Sequence, residues 1–226
     1  METPLTQLSS SHTSGAPGLS TTGRRVLALL TEALMLVLAL AAVPVVVLLD
    51  TTVLGTHMSE HSLTELLQGM LIGLSALAFG WSAARISSSR GYLALVAGLF
   101  GWMFLRENDA VFDMIVHGFW QVPATAVLLT GVGIAWLHRH RVLPAFLAHA
   151  ETRQSTYVFV GVILLVVFSR LFGTGALWQG VMGDAYHPTF KSAIQEGLEL
   201  MSYVLIAYGA LASYLTDYGT SRQDAH

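Results

Sequence analysis

Residues 104–120 read FLRENDAVFDMIVHGFW, and they follow an almost wholly apolar run, GYLALVAGLFGWM. Arg106, Glu107, Asn108 and Asp109 arrive together, and Asp113 and His117 come next at four-residue intervals. A guanidinium among carboxylates holds them ionised. An Asp and a His four residues apart on a helix put two ligand atoms on one face, as a divalent metal needs. His57-Met-Ser-Glu-His61 repeats that spacing as HxxxH. His57, His61, Asp113 and His117 are therefore the candidate ligands for a divalent metal, the one cofactor the sequence suggests.

Two other stretches carry polar residues at helical spacing. His61, Glu65 and Gln68 recur at i, i+4 and i+7, and the same face continues as Gly69 and Gly73, a GxxxG pair that admits a close neighbour. Ser192, Gln195 or Glu196, Glu199 and Tyr203 form a second stripe, and Arg106, Asp109, Asp113 and His117 a third if that helix runs on so far. Arg170 lies deep in another apolar run. A charge in hydrocarbon costs at least ~2.5–3.5 kcal/mol on insertion scales, so partners are expected. The sequence predicts that Arg106 and Arg170 pair with carboxylates drawn from the second and sixth helices.

The chemistry open to this set is the binding of a cation, a proton or a small polar ligand. Glu65, Asp109, Asp113, Glu196 and Glu199, with Glu107 beside them, supply negative charge. His61 and His117 supply coordination or proton exchange, and Arg106 and Arg170 hold the carboxylates in place. Plainer roles compete. Glu65, Glu196 and Glu199 fall near helix N-termini, where the dipole favours acids by ~0.3–1 kcal/mol. Ser62-Leu-Thr-Glu65 also fits a capping box.

The elements that position these residues follow from composition. Of 226 residues 54% are hydrophobic and only 11% charged. Soluble domains carry about a quarter charged residues, so the deficit points to an integral membrane protein. A net charge of −3 gives no support for nucleic-acid binding. The absence of cysteine excludes disulfides and thiolate chemistry.

The expected fold is all-α, a polytopic integral membrane protein of six transmembrane helices with both termini cytoplasmic. Residues 1–23, rich in Ser, Thr, Gly and Pro, read as a disordered cytoplasmic tail. Residues 24–217 read as the six-helix domain, with spans near 26–49, 62–84, 91–110, 119–137, 156–177 and 189–215, and 218–226 as a short cytoplasmic tail. Each span is close to the ~20 residues that cross a bilayer core. The first is expected to be retained, because its apolar run outlasts the h-region of a signal peptide.

Orientation rests on the basic residues. With the N-terminus inside, eight of the 11 lie on the cytoplasmic side and only Arg106, Arg170 and Lys191 do not. That is the positive-inside asymmetry. It fits a plasma membrane, most readily a bacterial inner membrane. Glu65, Asp109, Asp113, Glu196, Glu199, His61 and His117 then face the extracytoplasmic side. Besides ligand binding, two other functions suit such a chain. One is a metal-dependent hydrolase or transferase acting on lipid; the other is an accessory or scaffold subunit meeting a membrane protein partner or a second copy of itself.

Overall fold

The computed structural model describes residues 20–54 and 62–223. Every regular element among them is helical. In chain order they are α1 (Thr21–Leu48), α2 (Leu63–Arg85), α3 (Arg90–Glu107), α4 (Asp109–Asp113), α5 (Gln121–Leu137), α6 (Arg139–Ala150), α7 (Arg153–Ile163), α8 (Ser169–Phe172), α9 (Gly175–Met182) and α10 (Pro188–Gln223). A wider π turn, Leu49–Val53, follows α1, and another, Leu164–Phe168, joins α7 to α8.

The chain divides into two compact units, Met1–Leu38 and Ala39–His226. The first holds the beginning of α1, with Val26, Leu27, Leu30 and Leu34 exposed. In the second unit, α3 lies between α2 and α5, and α10 packs on both α2 and α7. The core between them is built from Ile72, Phe79, Phe100, Tyr203 and Ile206.

Local chemistry sets the element ends. Ser62 is the N-cap of α2 and its hydroxyl accepts from the Glu65 amide at 3.1 Å. Thr152 does the same for α7, accepting from Ser155 at 3.3 Å. Pro188 opens α10, where a missing N–H costs nothing. The sequence places helix three at 91–110, but α3 stops at Glu107. The side-chain amide of Asn108 donates to the Phe104 carbonyl at 2.8 Å, and the Asn108 backbone leaves the helical region. A side chain that claims a backbone acceptor in this way competes with helix continuation.

Four helical segments are long and apolar enough to cross a membrane: Thr21–Val53, Leu63–Arg85, Arg153–Phe172 and Pro188–Thr216. The pair α5 and α6, bent by 102°, makes a fifth if taken as one broken span. The 18 residues of α3 carry Arg90, Arg106 and Glu107 at their ends. At 1.5 Å per residue α3 is ~27 Å long, just short of a ~30 Å hydrocarbon core.

The small residues expected to admit a neighbour do so. A methyl group on Gly69 would lie 3.1 Å from the Asn108 amide, and one on Gly73 would lie 3.0 Å from the Phe104 ring. The face of α2 that carries Gly69 and Gly73 is thereby held against the end of α3 that carries Arg106 and Glu107.

Candidate functional site

One end of the bundle gathers the start of α2, the end of α3, the end of α8 and the start of α10. From α3, Glu107 turns inward, with its side chain 13% exposed, and its Oε1 accepts two bonds. Tyr203 of α10 donates its hydroxyl at 2.8 Å, and the Arg106 Nη2 donates at 2.9 Å. Tyr203 is itself only 1% exposed. The phenol belongs to the stripe that the sequence picks out on the last helix, and its partner is a carboxylate from another element.

Two turns and one turn earlier on α10 stand Glu196 and Glu199. The Gln68 side chain of α2, fully buried, donates through Nε2 to the Glu196 carboxylate at 3.0 Å and to its backbone carbonyl at 3.2 Å. Glu199 is buried as well. Gln195 donates to its Oε1 at 3.2 Å, and the Arg170 Nη1 lies 3.9 Å from the same oxygen. Gln195 in turn rests directly against Gly173, where any side chain would displace it. Glu107, Glu196 and Glu199 lie within electrostatic reach of one another.

Arg170 therefore meets a carboxylate of the last helix, as the sequence leads one to expect. Arg106 does not. It pairs with its own neighbour Glu107, and that carboxylate carries the link onward to α10. The reason is the early end of α3: beyond Asn108 the chain leaves the helical direction, so the stripe from Arg106 through Asp109 and Asp113 to His117 breaks up.

The remaining candidates fall elsewhere. Asp109 is exposed. Asp113 accepts from the Gly118 amide at 2.8 Å and lies 2.9 Å from the His117 Nδ1, while the His117 side chain is 98% exposed. Asp113 and His117 thus bond to each other in a turn. Glu65 is half-buried in the first turn of α2, its backbone amide taken by Ser62. His57 and His61 lie outside the described residues. Among the described residues, no three acid or histidine side chains come together as a metal site would need.

Asp50 is the residue whose role sequence reasoning missed. It is completely buried just past α1, and its carboxylate accepts from the amides of Leu63 at 2.9 Å and Thr64 at 2.7 Å, and from the Thr64 hydroxyl. It thus closes the N-terminus of α2 from outside, where the dipole favours an anion. The signal was present as an acid directly after the first apolar run, in LLDTT. Nothing in that local pattern told which amides it would find.

No protein family, curated protein or solved structure matches this chain. The functional reading rests on the geometry alone.

Proposed function

We propose that this protein crosses a cell membrane six times, with both termini cytoplasmic, and binds an exchangeable proton or a small cation at an extracytoplasmic carboxylate cluster. Glu107, Glu196 and Glu199 form the cluster, Arg106 and Arg170 tune it, and Gln68, Gln195 and Tyr203 orient it. Counting α3 as a span, though short, and α5 without α6 gives the six. The positive-inside bias then sets the orientation, in keeping with a bacterial inner membrane.

A mismatch of charge carries the reading. Three carboxylates share the site with two guanidiniums, and the ion pairs go to Glu107 and Glu199. Among the described residues the Glu196 carboxylate accepts the neutral amide of Gln68 and has no ion pair of its own, Arg170 acting on it only at longer range. A half-buried carboxylate in that position is favoured when a proton or a cation neutralises it. Both arginines keep partly exposed side chains, 39% for Arg106 and 56% for Arg170, so the cluster stays in touch with its surroundings.

The test is pH-difference infrared spectroscopy of the protein in lipid, with and without sodium. Wild type is expected to show a protonated-carboxyl band that titrates and that is absent from Glu196→Gln. A band that sodium suppresses would identify the cation as the alternative occupant. Superimposable spectra for wild type and Glu196→Gln would refute the site. A second reading, an accessory subunit whose polar network only fixes helix packing, is favoured by the closed chain Arg106–Glu107–Tyr203, which leaves no free acceptor at the Glu107 Oε1.

A further inference from the structure

The opposite end of the same helices holds a groove of about 470 Å³ between α2, α3 and α5. Its walls are small and apolar, with Gly80, Ala94, Ala97, Gly98 and Gly131 among them, and Arg90 lines it as well. The narrow residues follow from packing. A methyl group on Gly131 would fall 2.6 Å from the Ala94 carbonyl, so α3 and α5 meet backbone to backbone and a hollow remains beside the contact.

The groove ends among arginines. Arg85 closes α2, Arg90 opens α3 and Arg139 opens α6, and a methyl group on Gly91 would lie 2.9 Å from the His138 Cβ, which puts these helix ends together. Arg90 spends Nε and Nη2 on the Ala83 and Ala84 carbonyls, at 3.1 and 3.3 Å. Arg85 lies over the Trp81 ring at 4.9 Å and Arg139 over Trp136 at 5.7 Å. Among the described residues, none of Arg85, Arg90, Arg139 and Arg141 has a carboxylate partner.

Guanidiniums without a carboxylate partner among the described residues stand at the end of an apolar groove, two of them over exposed tryptophans, and the set matches one amphiphile: an anion attached to a hydrocarbon chain. We propose that this groove is a binding site for an anionic phospholipid, its acyl chain against Gly80, Ala97 and Gly131 and its phosphate on Arg90 and the adjoining arginines. Basic pockets between membrane helices take such headgroups, and tryptophan rings sit at that same level. The site needs the chain to lie in a bilayer, and it is independent of the carboxylate cluster. A second groove, of about 530 Å³ beside Met70, Gly73 and Phe104, has no charged residue in its lining and so no such complement.

The test uses full-length protein in detergent, titrated with phosphatidylglycerol or with phosphatidylcholine of the same chain length. Bound lipid is counted by native mass spectrometry. Wild type is expected to prefer the anionic lipid. Gly80→Leu, whose Cβ would meet Ala97 at 3.9 Å, an ordinary van der Waals contact, and which keeps every charge, is expected to abolish retention of both lipids. Thr130→Leu narrows the groove from α5 and serves the same purpose if Gly80→Leu does not fold. Arg90→Gln is expected to weaken phosphatidylglycerol about fivefold, the effect of one basic residue at an anionic headgroup, with phosphatidylcholine unchanged. Equal affinity of wild type for the two lipids overturns the proposal, as does unchanged phosphatidylglycerol binding in both groove-filling variants.

Discussion

Replacing Asp50 with alanine removes one acceptor from three donors at once. The amides of Leu63 and Thr64 and the Thr64 hydroxyl all bond to its carboxylate, and Ser62 caps only the next amide, that of Glu65. Asp50 and Thr64 are wholly buried and Ser62 is 2% exposed, so water has poor access to the orphaned groups. Two unpaired buried amides cost ~1–3 kcal/mol each, and loss of the favourable charge at the helix N-terminus adds ~0.3–1 kcal/mol. The expected loss is about 2–7 kcal/mol. Ser62→Ala, which removes a single N-cap bond, is expected to cost ~1 kcal/mol. Asp50→Asn should fall between the two, since it keeps one acceptor oxygen.

Unfolding in mixed micelles, followed by tryptophan fluorescence, ranks the three variants, and hydrogen exchange locates the effect. The Leu63 and Thr64 amides are expected to lose protection in Asp50→Ala. Slow exchange at both amides in that variant, or a stability loss no larger than that of Ser62→Ala, would refute the assignment of Asp50 as the closure of α2.

Tyr203→Phe deletes the hydroxyl that bonds the Glu107 carboxylate in a buried position, and is expected to cost about 1.5–3 kcal/mol in the same unfolding assay. Gly209→Val would put a Cβ 2.6 Å from the Gln154 carbonyl and is expected to prevent α7 and α10 from packing, whereas Gly133→Ala, with nothing within 4 Å, should leave stability and expression near wild type. His149 packs edge-on to Phe79 at 5.9 Å and tilted to Tyr92 at 5.4 Å, and its buried Nε2 has no hydrogen-bond partner among the described residues. His149→Phe is therefore expected to match or exceed wild-type stability, and a clear loss would show that the imidazole nitrogen is satisfied.

Periodicity and capping made several elements legible in the sequence. Ser62 and Glu65 mark the start of α2, as the capping-box pattern indicates, and the apolar runs at 62–84 and 119–137 agree with α2 and α5 to within two residues. The GxxxG face of α2 does meet another helix. The expected polar stripe on the third helix failed, because it assumed that the helix continued through Asn108. The competition between that side chain and the backbone depends on where Phe104 and Gly69 place it, which is a matter of packing. That Arg170 would meet a carboxylate of the second or sixth helix was legible from depth and charge; that it would be Glu199 was not. The partner of Arg106 was not, because adjacent residues on a helix do not normally face each other, and only the helix end at Asn108 lets Glu107 swing inward beside it.

What the sequence determined by itself was that the chain is helical and apolar, that its charges gather at a few helix ends, and that eight of its 11 basic residues fall in alternate segments between the apolar runs. Those are properties of composition and order. Only the tertiary structure decided which carboxylate meets which donor. Gln68 reaches Glu196, Tyr203 reaches Glu107, and Asp50 closes a helix that begins 13 residues later. Bonds of a few ångströms between separate helices depend on rotation and offset, and no local pattern of residues encodes those.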